Sequence, residues 1–119
     1  MNTILVEIDH IVQKIVEHYS PEAIILFGSL ASEQYGIDSD IDLLVIKKTS
    51  KKPIWRRVEV RKIVKSDFPI DIIVITPEEF LRLKQSRSPF LSEILKTGKI
   101  LYEKDTSKNS HLLEMDEIR

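Results

Sequence analysis

Two apolar runs separated by a fixed interval constrain this chain more than any other feature. Ala23-Ile24-Ile25-Leu26-Phe27 ends in Gly28-Ser29, and after ten intervening residues Asp40-Ile41-Asp42 opens Leu43-Leu44-Val45-Ile46. Short runs of large apolar side chains without polar alternation are the mark of strands buried on both faces. On a strand, residues i and i+2 point to the same face, so Asp40 and Asp42 are expected to project together. Adjacent carboxylates repel unless a cation sits between them. A Gly-Ser turn after a strand offers backbone N–H groups to phosphate. A divalent metal beside a phosphate cradle points to nucleotide chemistry.

The remaining elements follow from periodicity. Ile4, Leu5, Ile8, Ile11, Val12, Ile15, Val16 and Tyr19 form one face of a helix over residues 3–19, ended by Ser20-Pro21. A short helix is expected from Ser29 to about Tyr35, a loop over Gly36–Ser39, and a strand over 40–47. Lys47 to Lys52 make a basic turn. Pro53 starts a helix to about Ser66, with Ile54, Trp55, Val58, Ile63 and Val64 as its expected buried side. Ile70-Asp71-Ile72-Ile73-Val74-Ile75 reads as a third strand. Thr76-Pro77-Glu78-Glu79 fits a capping box that opens a helix to about Gln85. Ser88-Pro89 starts another, with Gly98 expected as its left-handed C-terminal residue. A last strand runs from Lys99 to Glu103. The order favours an α/β (α+β) fold, a small mixed sheet of about four strands with helices packed on it. The domain is expected over 1–103, with a polar tail over 104–119 in which Leu112, Leu113, Met115 and Ile118 form a possible docking helix.

At 119 residues the chain supports one core. The absence of cysteine excludes disulfide and thiolate chemistry. No apolar run approaches the roughly 20 residues of a membrane span, and no signal peptide is evident, so a cytoplasmic protein with no membrane partner is expected. The net charge of −1 gives no reason to expect a nucleic-acid partner. Locally the balance differs: residues 47–65 hold nine Lys and Arg against Glu59 alone. A solvated helix face is the ordinary reading of such a run. The rival is a positive wall that attracts triphosphate or nucleic acid.

Asp71 turns the pattern into a candidate site. A lone aspartate in an apolar strand costs on the order of several kcal/mol if buried, charged and unpaired. Beside Asp40 and Asp42 it needs a cation even more, and magnesium prefers such oxygen ligands. Gly28-Ser29, the spacer, Asp40-x-Asp42 and the later-strand Asp71 resemble the nucleotidyltransferase superfamily of DNA polymerase beta. The small size, the leading amphipathic helix and the Ser88-Pro89-Phe90-Leu91…Gly98…Leu101-Tyr102-Glu103 ending are similar to its minimal nucleotidyltransferase branch, over about residues 10–103.

Members of that branch are commonly antitoxins paired with a HEPN-domain RNase toxin. The resemblance implies that Asp40 and Asp42 bind two Mg²⁺ ions and that Asp71 completes the shell of the metal nearest the attacking hydroxyl. It implies that Gly28 and Ser29 hold the β/γ-phosphates of ATP. The implied reaction transfers AMP to a tyrosine hydroxyl of the toxin partner, which silences it. Many relatives have arginine where Leu30 stands and Arg-Gly where Ser32-Glu33 stand. That loss of positive charge is expected to weaken triphosphate binding unless the 47–65 run offsets it.

Rival readings are a partner-binding module that acts by contact, a transferase with a small-molecule acceptor, and a nucleic-acid binder. Taken singly, Asp38-Ser39-Asp40 is a turn former and Gly28 a turn glycine. Trp55 is expected to pack in the core, with adenine stacking as its alternative. His10, His18 and His111 lack ligand-like spacing.

Overall fold

The chain leaves its first helix through a left-handed residue, Ser20 (φ 51°), immediately before Pro21. The computed structural model describes residues 3–31 and 40–104. Its elements are α1 (Thr3–Tyr19), β1 (Ala23–Phe27), β2 (Ile41–Ile46), α2 (Pro53–Val64), β3 (Ile70–Ile75), α3 (Pro77–Gln85), α4 (Pro89–Thr97) and β4 (Lys99–Glu103). Ser29 to Ala31 form a turn closed by the Ala31 N–H donating to the Gly28 carbonyl. The rest of the helix expected to Tyr35, the 36–39 loop and the tail beyond Lys104 lie outside the described residues.

The four strands form one mixed sheet in the order β3-β2-β1-β4. β1 pairs antiparallel with β2 and β4, and β2 pairs parallel with β3. Alternation along the strands splits the apolar residues between two layers. Ile24, Leu26, Ile41, Leu43, Val45, Ile72 and Val74 meet α1 and α2 through Ile8, Ile11, Ile15, Val60 and Val64. Ala23, Ile25, Leu44 and Ile46 meet α3 and α4 through Phe80, Leu91 and Ile94. β1 and β2 are thus covered on both faces, as their unbroken apolar runs require. Among the described residues no helix is long and apolar enough to cross a membrane.

Helix α2 corrects one expectation. Ile54 and Trp55 are exposed (59% and 57%), whereas Arg56 is buried at 5% beside Val60 and Val64. Residues 56, 60 and 64 are spaced i, i+4, i+8, and that stripe faces the sheet. Arg56 can occupy it because its guanidinium makes four hydrogen bonds there. Nε donates to the Lys51 carbonyl (2.7 Å), Nη1 to the Val74 carbonyl (3.1 Å), and Nη1 and Nη2 to the two Glu79 carboxylate oxygens (2.9 and 3.1 Å). Glu79 also completes the capping box of α3 with Thr76, behind Pro77 at the first helical position. The Arg56 hydrogen bonds hold its carboxyl below the usual glutamate range, and the Thr76 N–H adds to this.

Gly98 is a second correction. It is extended (φ −77°, ψ 170°), not left-handed. Glycine is needed there for space: a Cβ would lie 2.5 Å from the Ile94 carbonyl oxygen and 3.0 Å from both the Leu26 carbonyl oxygen and Ile25 Cγ2. Because alanine tolerates these backbone angles, Gly98→Ala isolates that steric effect. It is expected to destabilise the fold by about 1–3 kcal/mol. Chemical denaturation should show a lower midpoint at unchanged slope.

Candidate active site

Register across the sheet decides which predicted residues meet. Phe27 of β1 stands opposite Asp42 of β2, and Asp42 lies in register with Asp71 of parallel β3. In-register neighbours project to one face. Phe27, Asp42 and Asp71 therefore form a row on the α3/α4 side of the sheet, at the end where β2 and β3 begin. Asp40 stands two residues before Asp42, just outside β2, where the Ile41 N–H donates to the Pro69 carbonyl.

Asp42 is the most constrained of the acids. Gly28 adopts φ +79°, and a Cβ there would sit 2.3 Å from Asp42 Oδ2. Only glycine lets this turn approach the carboxylate so closely, and the left-handed φ independently favours it. Partial burial raises the Asp42 pKa above the ordinary value, and the negative charges of Asp71 and Asp40 raise it further. The aspartates thus share one electrostatic neighbourhood, and it disfavours a charged Asp42.

Asp71 is not the buried charge expected from its apolar strand. Its side chain is 53% exposed, and Oδ1 lies 3.7 Å from Nη2 of Arg57 on α2. β3 is an edge strand, so its outer residues reach solvent. Among the described residues no three His, Cys, Asp or Glu side chains converge closely enough, in this arrangement, to enclose a metal ion. The donor chemistry nonetheless suits a hard divalent cation: carboxylate oxygens that repel one another beside a glycine turn. Leu30 is buried in the core at 5% and brings no charge to the site. Arg57 is the member of the basic run that does.

A cleft of about 670 Å³ adjoins the turn, lined by Phe27, Gly28, Ser29, Phe90, Glu93 and Thr97 among others. Phe27 and Phe90 meet edge-to-face with ring centroids 6.2 Å apart. Sequence reasoning missed this aromatic wall. Its available signals were the position of Phe27 directly before Gly28 and of Phe90 after the Ser88-Pro89 helix start.

The Polymerase beta, Nucleotidyltransferase family profile matches residues 9–107. This chain belongs to the polymerase beta nucleotidyltransferase family. A putative nucleotidyltransferase from Sulfolobus solfataricus has the same fold, with a TM-score of 0.62 at 22% identity, over 86% of this chain and 82% of that one. A toxin-antitoxin structure with AMP-PNP gives 0.61 at 21% identity, over 90% and 81%. A mutant of the toxin-antitoxin MntA-HpeT gives 0.61 at 19% identity, over 91% and 80%. A comparison with curated protein sequences finds no match. For this nucleotidyltransferase the register of β1, β2 and β3 supplies what the sequence spacing could not, namely that Asp42 and Asp71 are direct neighbours on one face.

Proposed function

We propose that this nucleotidyltransferase uses Mg²⁺ and ATP to transfer AMP to a hydroxyl, a tyrosine in the first instance, of a HEPN-type toxin partner, and so acts as its antitoxin. The observation that carries the reading is the Phe27–Asp42–Asp71 row beside the Gly28 turn. Asp40, Asp42 and Asp71 would hold the metal, and Gly28 and Ser29 the β/γ-phosphates. The ion, when bound, supplies charge neutralisation at the α-phosphate and activation of the attacking hydroxyl. Each carboxylate that now repels Asp42 becomes favourable once a cation lies among them. Arg57 sits where it can steady Asp71. The cleft beside the turn, at about 670 Å³, is within the range of small-molecule sites and has an aromatic wall suited to a planar ring. The toxin-antitoxin neighbours, one with an ATP analogue, support this choice of nucleotide and partner.

The test uses ATP labelled at the α- or the γ-phosphate, Mg²⁺, and the protein encoded beside this one. Label from the α-phosphate alone should appear on a tyrosine of that protein, and Asp42→Ala should abolish it. Inhibition of the partner that survives Asp42→Ala without label would overturn the transferase reading in favour of action by contact. Label passed instead to a small-molecule acceptor would overturn the choice of acceptor.

A further inference from the structure

A second groove begins at the turn that follows β2, at the end of that strand opposite Asp42, and runs along α2 to Lys62. It has a volume of about 630 Å³ and is walled by Lys51, Lys52, Trp55, Val58, Glu59 and Lys62. Trp55, Val58, Glu59 and Lys62 are spaced i, i+3, i+4, i+7, so they form one strip of α2, turned roughly opposite the buried Arg56–Val60–Val64 stripe. Trp55 is 57% exposed. Packing does not account for it.

Much of the basic run is already engaged. Lys47 donates to the Tyr19 carbonyl, Arg56 is buried on Glu79, Arg57 faces Asp71, and Arg61 donates to the Ile70 carbonyl. Lys51 pairs with Glu59. Among the described residues Lys52 and Lys62 make no ion pair, and both are exposed at the groove, with Lys48 exposed in the preceding turn. Ion pairing therefore cancels Glu59 and leaves positive charge around an accessible aromatic face.

We propose that this groove binds single-stranded nucleic acid, with a base stacked on Trp55 and flanking phosphates held by Lys52 and Lys62. Stacking on an aromatic platform beside lysines that track the backbone is the general chemistry of sequence-tolerant strand binding. A protein partner is the poorer fit, because lysine is depleted at the cores of protein interfaces whereas here it forms the walls. The groove is separate from the carboxylate row and does not depend on the reaction assigned there.

Trp55 is the only tryptophan in the chain, so its fluorescence reports on this groove alone. Titration of the full chain with short single-stranded RNA and DNA homopolymers should quench it saturably. Affinity should fall roughly tenfold between about 50 and about 200 mM salt, as expected for two to three neutralised phosphates. Lys52→Glu with Lys62→Glu should remove binding, and Trp55→Ala, followed by strand anisotropy, should weaken it roughly ten- to a hundredfold. All these positions are exposed, so circular dichroism should be unchanged. Asp42→Ala should bind strands as the wild type does. Absence of quenching, quenching by free ATP as strong as that by a strand, or binding indifferent to the charge reversal would overturn the proposal. Protection of Trp55 by the partner protein, with no response to strands, would overturn it in favour of a protein interface.

Discussion

Replacing Asp42 by asparagine should yield a protein that is more resistant to heat and nearly inactive. Asp42 is half-buried against Gly28 and flanked by Asp40 and Asp71, and its carboxyl titrates above the normal value for those two reasons. A folded-state pKa above the unfolded one means that the native state holds more protons than the unfolded chain. Stability from this group is therefore full below the unfolded value of about 3.9 and is lost as pH rises through the folded pKa. Asparagine is isosteric with aspartate and uncharged, so the variant escapes that loss and its melting temperature at neutral pH should exceed that of the wild type. Nucleotidyl transfer should fall on the order of a thousandfold, the scale of losing one preorganised charge-stabilising group. A third readout joins the two. Mg²⁺ with a non-hydrolysable ATP analogue should raise the melting temperature of the wild type by mass action and leave that of the variant almost unmoved. Equal Mg²⁺-dependent stabilisation of both proteins would remove Asp42 from the proposed metal site.

The stability–activity opposition at Asp42 also explains why this part of the site was legible in the sequence. A chain shaped for stability alone would not place one acid just before β2 and another at its second residue, ahead of a run of leucine, valine and isoleucine. The strands themselves were readable because β1, β2 and β3 are nearly continuous apolar runs, and their observed bounds differ from the expected ones by at most a residue. What spacing could not supply was register. That Asp42 lies level with Asp71 depends on the parallel pairing of β2 with β3, a non-local fact with no local signature.

Helix α2 was misread for a different reason. Ile54 and Trp55 in its first turn suggested an apolar face, but phase is set by the stripe that reaches the sheet, and in this helix that stripe begins with an arginine. Hydropathy counts arginine as surface. It has no means of registering that two carbonyls and a carboxylate lie within reach. The same blindness hid the Phe27–Phe90 wall, whose partners come from a strand end and a helix start more than sixty residues apart. At Gly98 the residue type was informative but the cause was not: proximity to β1, and not a left-handed angle, excludes a side chain.

The arginine at the head of that stripe should be the most stability-critical polar residue in the described fold. Arg56 joins the turn before α2, the last part of β3 and the capping box of α3 through four hydrogen bonds, and it is nearly inaccessible to water. Arg56→Ala strands the Val74 and Lys51 carbonyls and leaves the Glu79 carboxylate without its guanidinium partner, holding only the Thr76 N–H. Breaking a fully buried pair costs about 3–5 kcal/mol. The Glu79 side chain is 32% exposed, which lowers the expected loss to about 2–4 kcal/mol. Against a total of about 5–15 kcal/mol for a domain, that should lower the melting temperature by about 10–20 °C.

Arg56→Lys keeps the charge but cannot reproduce the fork, so it should fall between the two. Acid titration checks the mechanism. The Glu79 pKa is depressed chiefly by its hydrogen bonds to Arg56, so its contribution is present above the ordinary glutamate value and lost as pH falls through the folded one. Removing Arg56 should flatten that acid limb. Adding Glu79→Gln to Arg56→Met should recover part of the loss, because the orphaned carboxylate is then gone. An Arg56→Ala protein that unfolds within about 0.5 kcal/mol of the wild type would mean that water replaces all four contacts, and that the stripe of Val60 and Val64 alone orients α2.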